Sequence, residues 1–164
     1  MDKWFTECWT GRGLLLTVLL IACLHGQSKT SNGNESDVRF VALDIVIDSG
    51  EDELAAYQFE LKANSKQVQI VGLEGGEHAA FREPPFYDPA GLSQNRIIVA
   101  AFSTAKALPN GKQRIARINL QIDENVEPEY AIKLITAASS DGKNISPKIT
   151  AVAAKTRAAK GATQ

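Results

Sequence analysis

Cysteine and histidine are nearly absent from this sequence, and most of the few that occur stand near its beginning. The 164 residues include two cysteines, Cys8 and Cys23, and two histidines, His25 and His78. Beyond the first 25 residues no disulfide and no thiolate metal site can therefore form. His78 alone remains there for histidine chemistry, and we expect no cofactor.

An excess of basic residues is also missing. Eighteen lysines and arginines oppose 19 aspartates and glutamates, which gives a formal net charge of −1. Proteins that bind nucleic acid usually carry a basic stripe, because they neutralise phosphates. We therefore expect no nucleic-acid partner.

No apolar run is long enough to cross a membrane as a helix. The run LLLTVLLIACL, from Leu14 to Leu24, is shorter than the about 20 residues that such a helix needs. It is typical of a secretion signal, and Leu20 to Cys23 resembles a bacterial lipobox. Residues 1–23 are therefore predicted to be a signal peptide or lipoprotein signal, with Cys23 as the lipidation candidate. Cleavage near Gly26 and an uncleaved anchor are the alternatives.

Each of these alternatives takes the protein out of the cytoplasm. We expect an exported protein that is periplasmic, on the cell surface or extracellular, and that contacts the membrane only through its N-terminal segment. Residues 24–36 are rich in polar side chains and are predicted to be a tether. Residues 153–164 lack large apolar side chains and are predicted to be a disordered tail. Residues 37–152 are long enough for one domain.

Alternating apolar and polar residues dominate the predicted domain. In the stretch from Leu54 to Gly76, Tyr57, Phe59 and Leu61 fall on one face of an extended segment, as in a half-buried strand. A polar turn follows, and Val68 resumes the pattern, so we interpret the stretch as two antiparallel strands. Further strands are predicted over Val38 to Asp48, Arg96 to Thr104, Arg114 to Asp123, Tyr130 to Thr136 and Lys143 to Val152.

Two of these strands have distinctive features. The segment from Arg96 to Thr104 is apolar on both faces, which is expected in the middle of a sheet that is covered, at least partly, on each side. Pro147 would make the last strand an edge strand, because proline cannot donate a ladder hydrogen bond. Strands separated by turn signals, without a helical period, predict an all-β antiparallel sandwich of about seven to nine strands. The pattern alone leaves jelly-roll and immunoglobulin-like versions open.

The order of three of these segments resembles one family. The segments are AYQFEL from Ala56, VQIVGLEGG from Val68 and RIIVAAFS from Arg96. They resemble the cohesin domain, a β-sandwich module of cellulosome scaffolds that belongs to a wider superfamily of carbohydrate-binding modules. Ala56 stands where the family commonly has glycine. The resemblance covers roughly Val38 to Ile149 and implies a jelly-roll sandwich that binds a protein, which in cohesins is a dockerin received on a flat sheet face.

An irregular stretch from Glu77 to Asn95 supplies the ligand-binding candidates Phe81, Phe86 and Tyr87. Its three prolines exclude a central strand, and a loop of this length is typically functional or well packed. Aromatic rings that stack on sugars would suit a polysaccharide ligand. The favoured alternative is that Phe86 and Tyr87 cover the open end of the sandwich.

The acidic turn after the first strand raises a calcium hypothesis, since hard cations prefer clustered carboxylates. Asp48 and Asp52 are weak metal candidates there, but the twelfth residue counted from Asp48 is Phe59, which does not fit an EF-hand. We favour a solvated turn and predict no metal site. His78 and its acidic neighbours match no catalytic motif, so we do not expect an enzyme.

The sequence therefore predicts a non-catalytic, cohesin-like binding module that is exported to the cell envelope. Its expected partner is a protein, either dockerin-like or another envelope protein. The alternatives are a polysaccharide-binding module and a structural component of an envelope or secretion assembly.

Overall fold

Two antiparallel four-stranded sheets make up the part of the chain that the computed structural model describes, residues 37–154. The first sheet, here sheet I, has the strand order β3-β6-β1-β8, and sheet II has the order β4-β5-β2-β7. The predicted β-sandwich is confirmed, and its strand number lies within the predicted range. The strands are β1 (Val38–Asp48), β2 (Leu54–Ala63), β3 (Val68–Gly75), β4 (Phe86–Tyr87), β5 (Arg96–Phe102), β6 (Lys112–Asp123), β7 (Tyr130–Ser139) and β8 (Lys148–Ala153).

The predicted signal, the tether and Cys23 lie outside the described residues, as does the predicted tail from residue 155 onward. No helix among residues 37–154 is long and apolar enough to span a bilayer. The strand β8 begins directly after Pro147 and lies at an edge of sheet I, as predicted.

One apolar core fills the space between the sheets, because alternate side chains of each strand point inward. The alternating apolar residues Leu43, Ile45 and Ile47 of β1 are buried in this core. The hydroxyl of Tyr57 crosses the core from β2 and donates a 3.0 Å hydrogen bond to the carbonyl oxygen of Ile115 in β6. Other buried side chains include Phe59, Leu61, Val68, Ile70, Ile97, Val99, Ile118, Leu120 and Ile122.

Register shifts at β-bulges change which residues face this core. The β1–β6 register shifts between Ile45 and Val46, so Ile115 has no partner of its own and is buried. Strict alternation along β6 would turn Ile115 to the solvent face together with Arg117, and the extra residue of the bulge reverses that orientation. A second shift lies between Leu54 and Ala56, and there Leu54 is buried while Ala55 is only half-buried.

The two strands predicted between Leu54 and Gly76 are present, but they do not pair with each other. The strand β2 pairs with β5 and β7 in sheet II, whereas β3 pairs with β6 in sheet I. The short turn between Ala63 and Val68 therefore carries the chain from one sheet to the other. Alternation reports that both strands have an apolar face, and both faces meet the same core, but alternation does not report which strands exchange hydrogen bonds.

The strand β5 is covered on one face only. Its inward residues Ile97 and Val99 are buried, while Phe102 on the opposite face is 67% exposed. This strand lies between β4 and β2, so its position inside a sheet agrees with its apolar sequence. The sequence left open whether both faces of this strand would be fully covered, and in the structure only the inward face is.

A close backbone contact fixes the start of the loop that follows β3. The N–H of Gly76 donates a 2.6 Å hydrogen bond to the carbonyl oxygen of Phe81. A Cβ atom on Gly75 would overlap the carbonyl oxygen of Arg82. Glycine at position 75 therefore allows the loop to fold back against β3.

Replacing Gly75 with alanine is expected to lower the free energy of unfolding by about 2 kcal/mol or more, because the backbone must move to accept the methyl group. Gly72→Ala is the matched control, since its Cβ would meet only the side chain of Asn119, at 3.7 Å. Urea unfolding of both variants measures the difference. Equal midpoints for the two variants would contradict the contact.

Candidate binding surface

The outer faces of the two sheets differ in polarity. On sheet I, the guanidinium of Arg117 donates a hydrogen bond to each carboxylate oxygen of Asp44, at 2.7 and 3.1 Å. The side-chain amide of Asn119 donates to Glu74 at 2.9 Å. These charged and polar groups satisfy one another, while Phe40 on the same face stands apart as a single aromatic ring that is 69% exposed.

The outer face of sheet II carries an exposed aromatic pair instead. Phe86 pairs with Ala100 across β4 and β5, and Phe102 pairs with Ala56 across β5 and β2. The two phenyl rings are nearly parallel, with an interplanar angle of 10° and centroids 6.1 Å apart. They remain 68% and 67% exposed. We call the surface formed by Phe86, Phe102, Ala56 and Ala100 the aromatic face.

Local structure in the long loop positions Phe86. The two-residue strand β4 turns Phe86 outward, and its neighbour Tyr87 packs inward against the core. A 3₁₀ helix stands on each side of β4. Each helix is capped by a side chain, because Nδ1 of His78 accepts from the N–H of Ala80 at 3.2 Å and Oδ1 of Asp88 accepts from the N–H of Ala90 at 2.9 Å.

The opposite end of the same sheet face is charged. The guanidinium of Arg96 donates a 2.6 Å hydrogen bond to the carboxylate of Glu60. This hydrogen bond is the largest cause that lowers the pKa of Glu60, and the positive charges of Arg96, Lys133 and Lys62 act in the same direction. Glu60 pairs with Lys133 and Lys62 pairs with Arg96 along the ladders, so the four side chains share one face. We call Lys62, Arg96 and Lys133 the basic end.

A shallow cleft lies at the sheet edge beside the basic end. Its volume is about 400 Å³. Its lining combines the carboxylate of Asp88 and the amides of Gln94 and Asn95 with the apolar side chain of Ile98. The cleft thus offers hydrogen-bond donors and acceptors next to an apolar wall.

The three aromatic candidates from the sequence separate in the structure. Phe81 is 4% exposed, and its ring centroid lies 5.2 Å from that of Tyr57 in the core. Packing against the core therefore removes Phe81 from any ligand surface, and half-buried Tyr87 packs inward as well. Phe86 keeps an exposed ring. Phe102 was not among the residues predicted from the sequence to bind a ligand. The apolar residues on both faces of its strand were the signal that could have identified it as exposed.

The acidic turn uses its polar groups locally. Oδ1 of Asp48 accepts from the N–H of Gly50 at 3.2 Å, and the hydroxyl of Ser49 donates to the carbonyl oxygen of Asp52 at 2.8 Å. Gly50 has a positive φ of 62°, which closes the turn. Across residues 37–154, no three or more histidine, aspartate or glutamate side chains are grouped so that they could hold a metal ion.

Replacing Arg96 with glutamine is expected to raise the pKa of Glu60 toward its ordinary value of 4.5, because the largest lowering cause is lost. Lys62→Gln is the control and should raise that pKa less, since lysine acts there through charge alone. Carboxyl-carbon NMR titration measures both. Because folding lowers this pKa, any stability from the ion pair is present above pH 4.5 and is lost as the pH falls through the lower folded value. Equal rises in the two variants would contradict the assignment.

Comparison with known proteins supports the architecture. No protein-family model and no curated protein sequence matches the chain. Among solved structures, a chain in the crystal structure of a type I cohesin–dockerin complex from Clostridium thermocellum matches with a TM-score of 0.52 and 15% sequence identity. The match covers 70% of this chain and 88% of that chain. The protein described here therefore has a cohesin-like fold.

Proposed function

We propose that the domain is a non-catalytic module that binds a protein partner through the aromatic face. The observation that carries this proposal is the pair of parallel, largely exposed rings of Phe86 and Phe102 on one sheet face. Aromatic side chains are enriched at protein interfaces, and an exposed apolar patch on a folded domain commonly marks an interaction site. The outer face of sheet I lacks such a pair among the described residues.

The shape of the aromatic face suits a docking partner. Ala56 and Ala100 are small, so the rings stand above their surroundings and can enter a shallow apolar pocket. The strands beneath them belong to a four-stranded sheet, which holds both rings in place without a loop rearrangement. Such rigid aromatic anchors provide contact area at a low cost in conformational entropy.

The similar solved structure supports a protein as the partner. It contains a type I cohesin and a dockerin. A shared fold does not by itself transfer a partner, so we propose either a dockerin-like protein or another protein of the cell envelope.

Phe102→Ala is expected to weaken partner binding by at least about 2 kcal/mol, roughly 30-fold, because a truncated aromatic anchor leaves its pocket unfilled. Phe40→Ala is the matched control, since Phe40 is 69% exposed on the outer face of sheet I. Proteins captured from an extract of the source cells, with and without calcium chelation, would be identified and their affinity for each variant measured.

The comparison of partner binding by Phe102→Ala and Phe40→Ala tests whether the aromatic face is the docking site. Equal binding by Phe102→Ala and the unaltered protein would reject the aromatic face as the docking site. Equal losses in Phe102→Ala and Phe40→Ala would indicate a general effect of lost apolar surface. Thermal unfolding of each variant excludes loss of the fold as the cause.

Polysaccharide binding is the second candidate function. The specific observation that favours it is the cleft of about 400 Å³, whose lining includes Asp88, Gln94 and Asn95, together with the exposed ring of Phe86 outside that lining. Sugars combine hydroxyl groups with apolar ring faces, which suit such a mixture of polar groups and an aromatic ring. Retention in polysaccharide gels that is lost in Phe86→Ala and kept in Phe40→Ala would favour this candidate over a protein partner.

We also propose that the domain is exported and held at the envelope by the N-terminal segment. The apolar run from Leu14 to Leu24 and the lipobox-like sequence that ends at Cys23 support this proposal. Acyl chains anchor a protein in proportion to their buried methylene groups.

Cys23→Ser is expected to shift the protein from the detergent phase to the aqueous phase in phase partitioning, because the acyl chains would be missing. Cys8→Ser is the control, as Cys8 lies outside the lipobox-like sequence. Unchanged partitioning of Cys23→Ser would reject lipid anchoring at this residue.

A further inference from the structure

The outer face of sheet II is divided into two chemically different ends. Successive outward residues of β5 run from Phe102 through Ala100 and Ile98 to Arg96. At about 3.4 Å per residue, this places the charge of Arg96 roughly 20 Å from the ring of Phe102. A partner that covers this face must therefore match an apolar end and a charged end at a fixed separation.

The charged end has more positive than negative groups. The carboxylate of Glu60 stands among the three cations of the basic end and pairs directly with Arg96. Within residues 37–154, neither Lys62 nor Lys133 has a carboxylate within ion-pair distance. The ammonium groups of both lysines are therefore available to a partner.

Two acidic side chains lie beside the basic end and are held by their own loops. Asp88 accepts a hydrogen bond from the N–H of Ala90 at 2.9 Å, and Glu129 accepts one from the side-chain amide of Asn64 at 3.5 Å. Neither carboxylate forms an ion pair with a cation of the basic end. The sheet face itself keeps three cations against one carboxylate.

We infer that the partner is a protein segment that carries an apolar side chain for the aromatic face and acidic side chains for the basic end, and that it docks in one orientation. This inference rests on the proposed function and adds the chemistry of the partner to it. Opposite charges across an interface fix register and raise the association rate, whereas the reversed orientation would place acidic groups against phenyl rings. Lys62 and Lys133 are therefore specificity-determining residues.

A library of random peptides about 12 residues long tests this inference, because each peptide reaches ~40 Å when extended and can touch both ends. The library is displayed on phage and selected on the immobilised full chain. Enriched peptides are expected to combine aromatic or aliphatic residues at one end with aspartate or glutamate at the other. Their affinities are then measured for Phe102→Ala and for the double variant Lys62→Glu/Lys133→Glu.

The double variant should weaken the enriched peptides about tenfold at low salt, and the loss should shrink in about 1 M salt, where the Debye length falls to ~3 Å. The matched control is Lys112→Glu/Lys148→Glu, which makes the same change of charge at exposed positions of sheet I. It should change these affinities less than about twofold, because its charges lie on the other sheet.

Three outcomes would overturn the inference. Enriched peptides that need Phe102 but show no acidic preference would overturn it and leave the proposed protein-binding function standing. Enriched peptides that bind equally to Phe102→Ala would reject both the inference and the aromatic face. Selection that enriches no peptide would also overturn the inference, because no linear apolar and acidic segment would then recognise the face.

Discussion

The structure depends on one constraint, which is that two sheets share a single apolar core and each strand can bury only one of its faces in it. The outward residues must then be stable in water by other means. Sheet I combines paired polar groups, of which the Arg117–Asp44 pair is the best formed, with the exposed ring of Phe40. Sheet II leaves Phe86 and Phe102 exposed, although they are as apolar as core residues. Packing within residues 37–154 provides no cover for these rings, which is why we propose that a partner covers them.

Backbone geometry in the long loop makes the aromatic face possible. Gly75 lets the chain fold back on β3, and two side-chain caps hold short helices on either side of β4. The loop thereby presents Phe86 from a two-residue strand that is hydrogen-bonded to β5. Strand pairing holds the backbone beneath both rings, so binding needs little rearrangement of the main chain. His78 and Asp88, which match no catalytic motif in the sequence, serve as helix caps in this arrangement.

The outer face of sheet II also carries charged groups at its basic end. The ion pair of Arg96 and Glu60 neutralises one cation of the basic end, and the two lysines beside it add charge without a partner among the described residues. An apolar contact alone would tolerate several orientations, because the hydrophobic effect has no direction. The cations at a fixed distance from the rings provide the direction. Affinity and orientation would thus come from different ends of one surface.

The sequence by itself determined seven of the eight described strands, the inward faces of most of them and the sandwich class, because period-two alternation and turn residues are local signals. The two-residue strand β4 lies in the stretch that was predicted to be irregular. The apolar outward residues of β5 also set this strand apart in the sequence, and the resemblance carried by the segments of β2, β3 and β5 agrees with the fold. Tertiary structure alone decided that β2 and β3 enter different sheets, that a bulge buries Ile115, and that Phe81 packs inside. It also brought Phe86 beside Phe102, because strand pairing and loop closure join residues that are distant in the chain and leave no periodic trace in it.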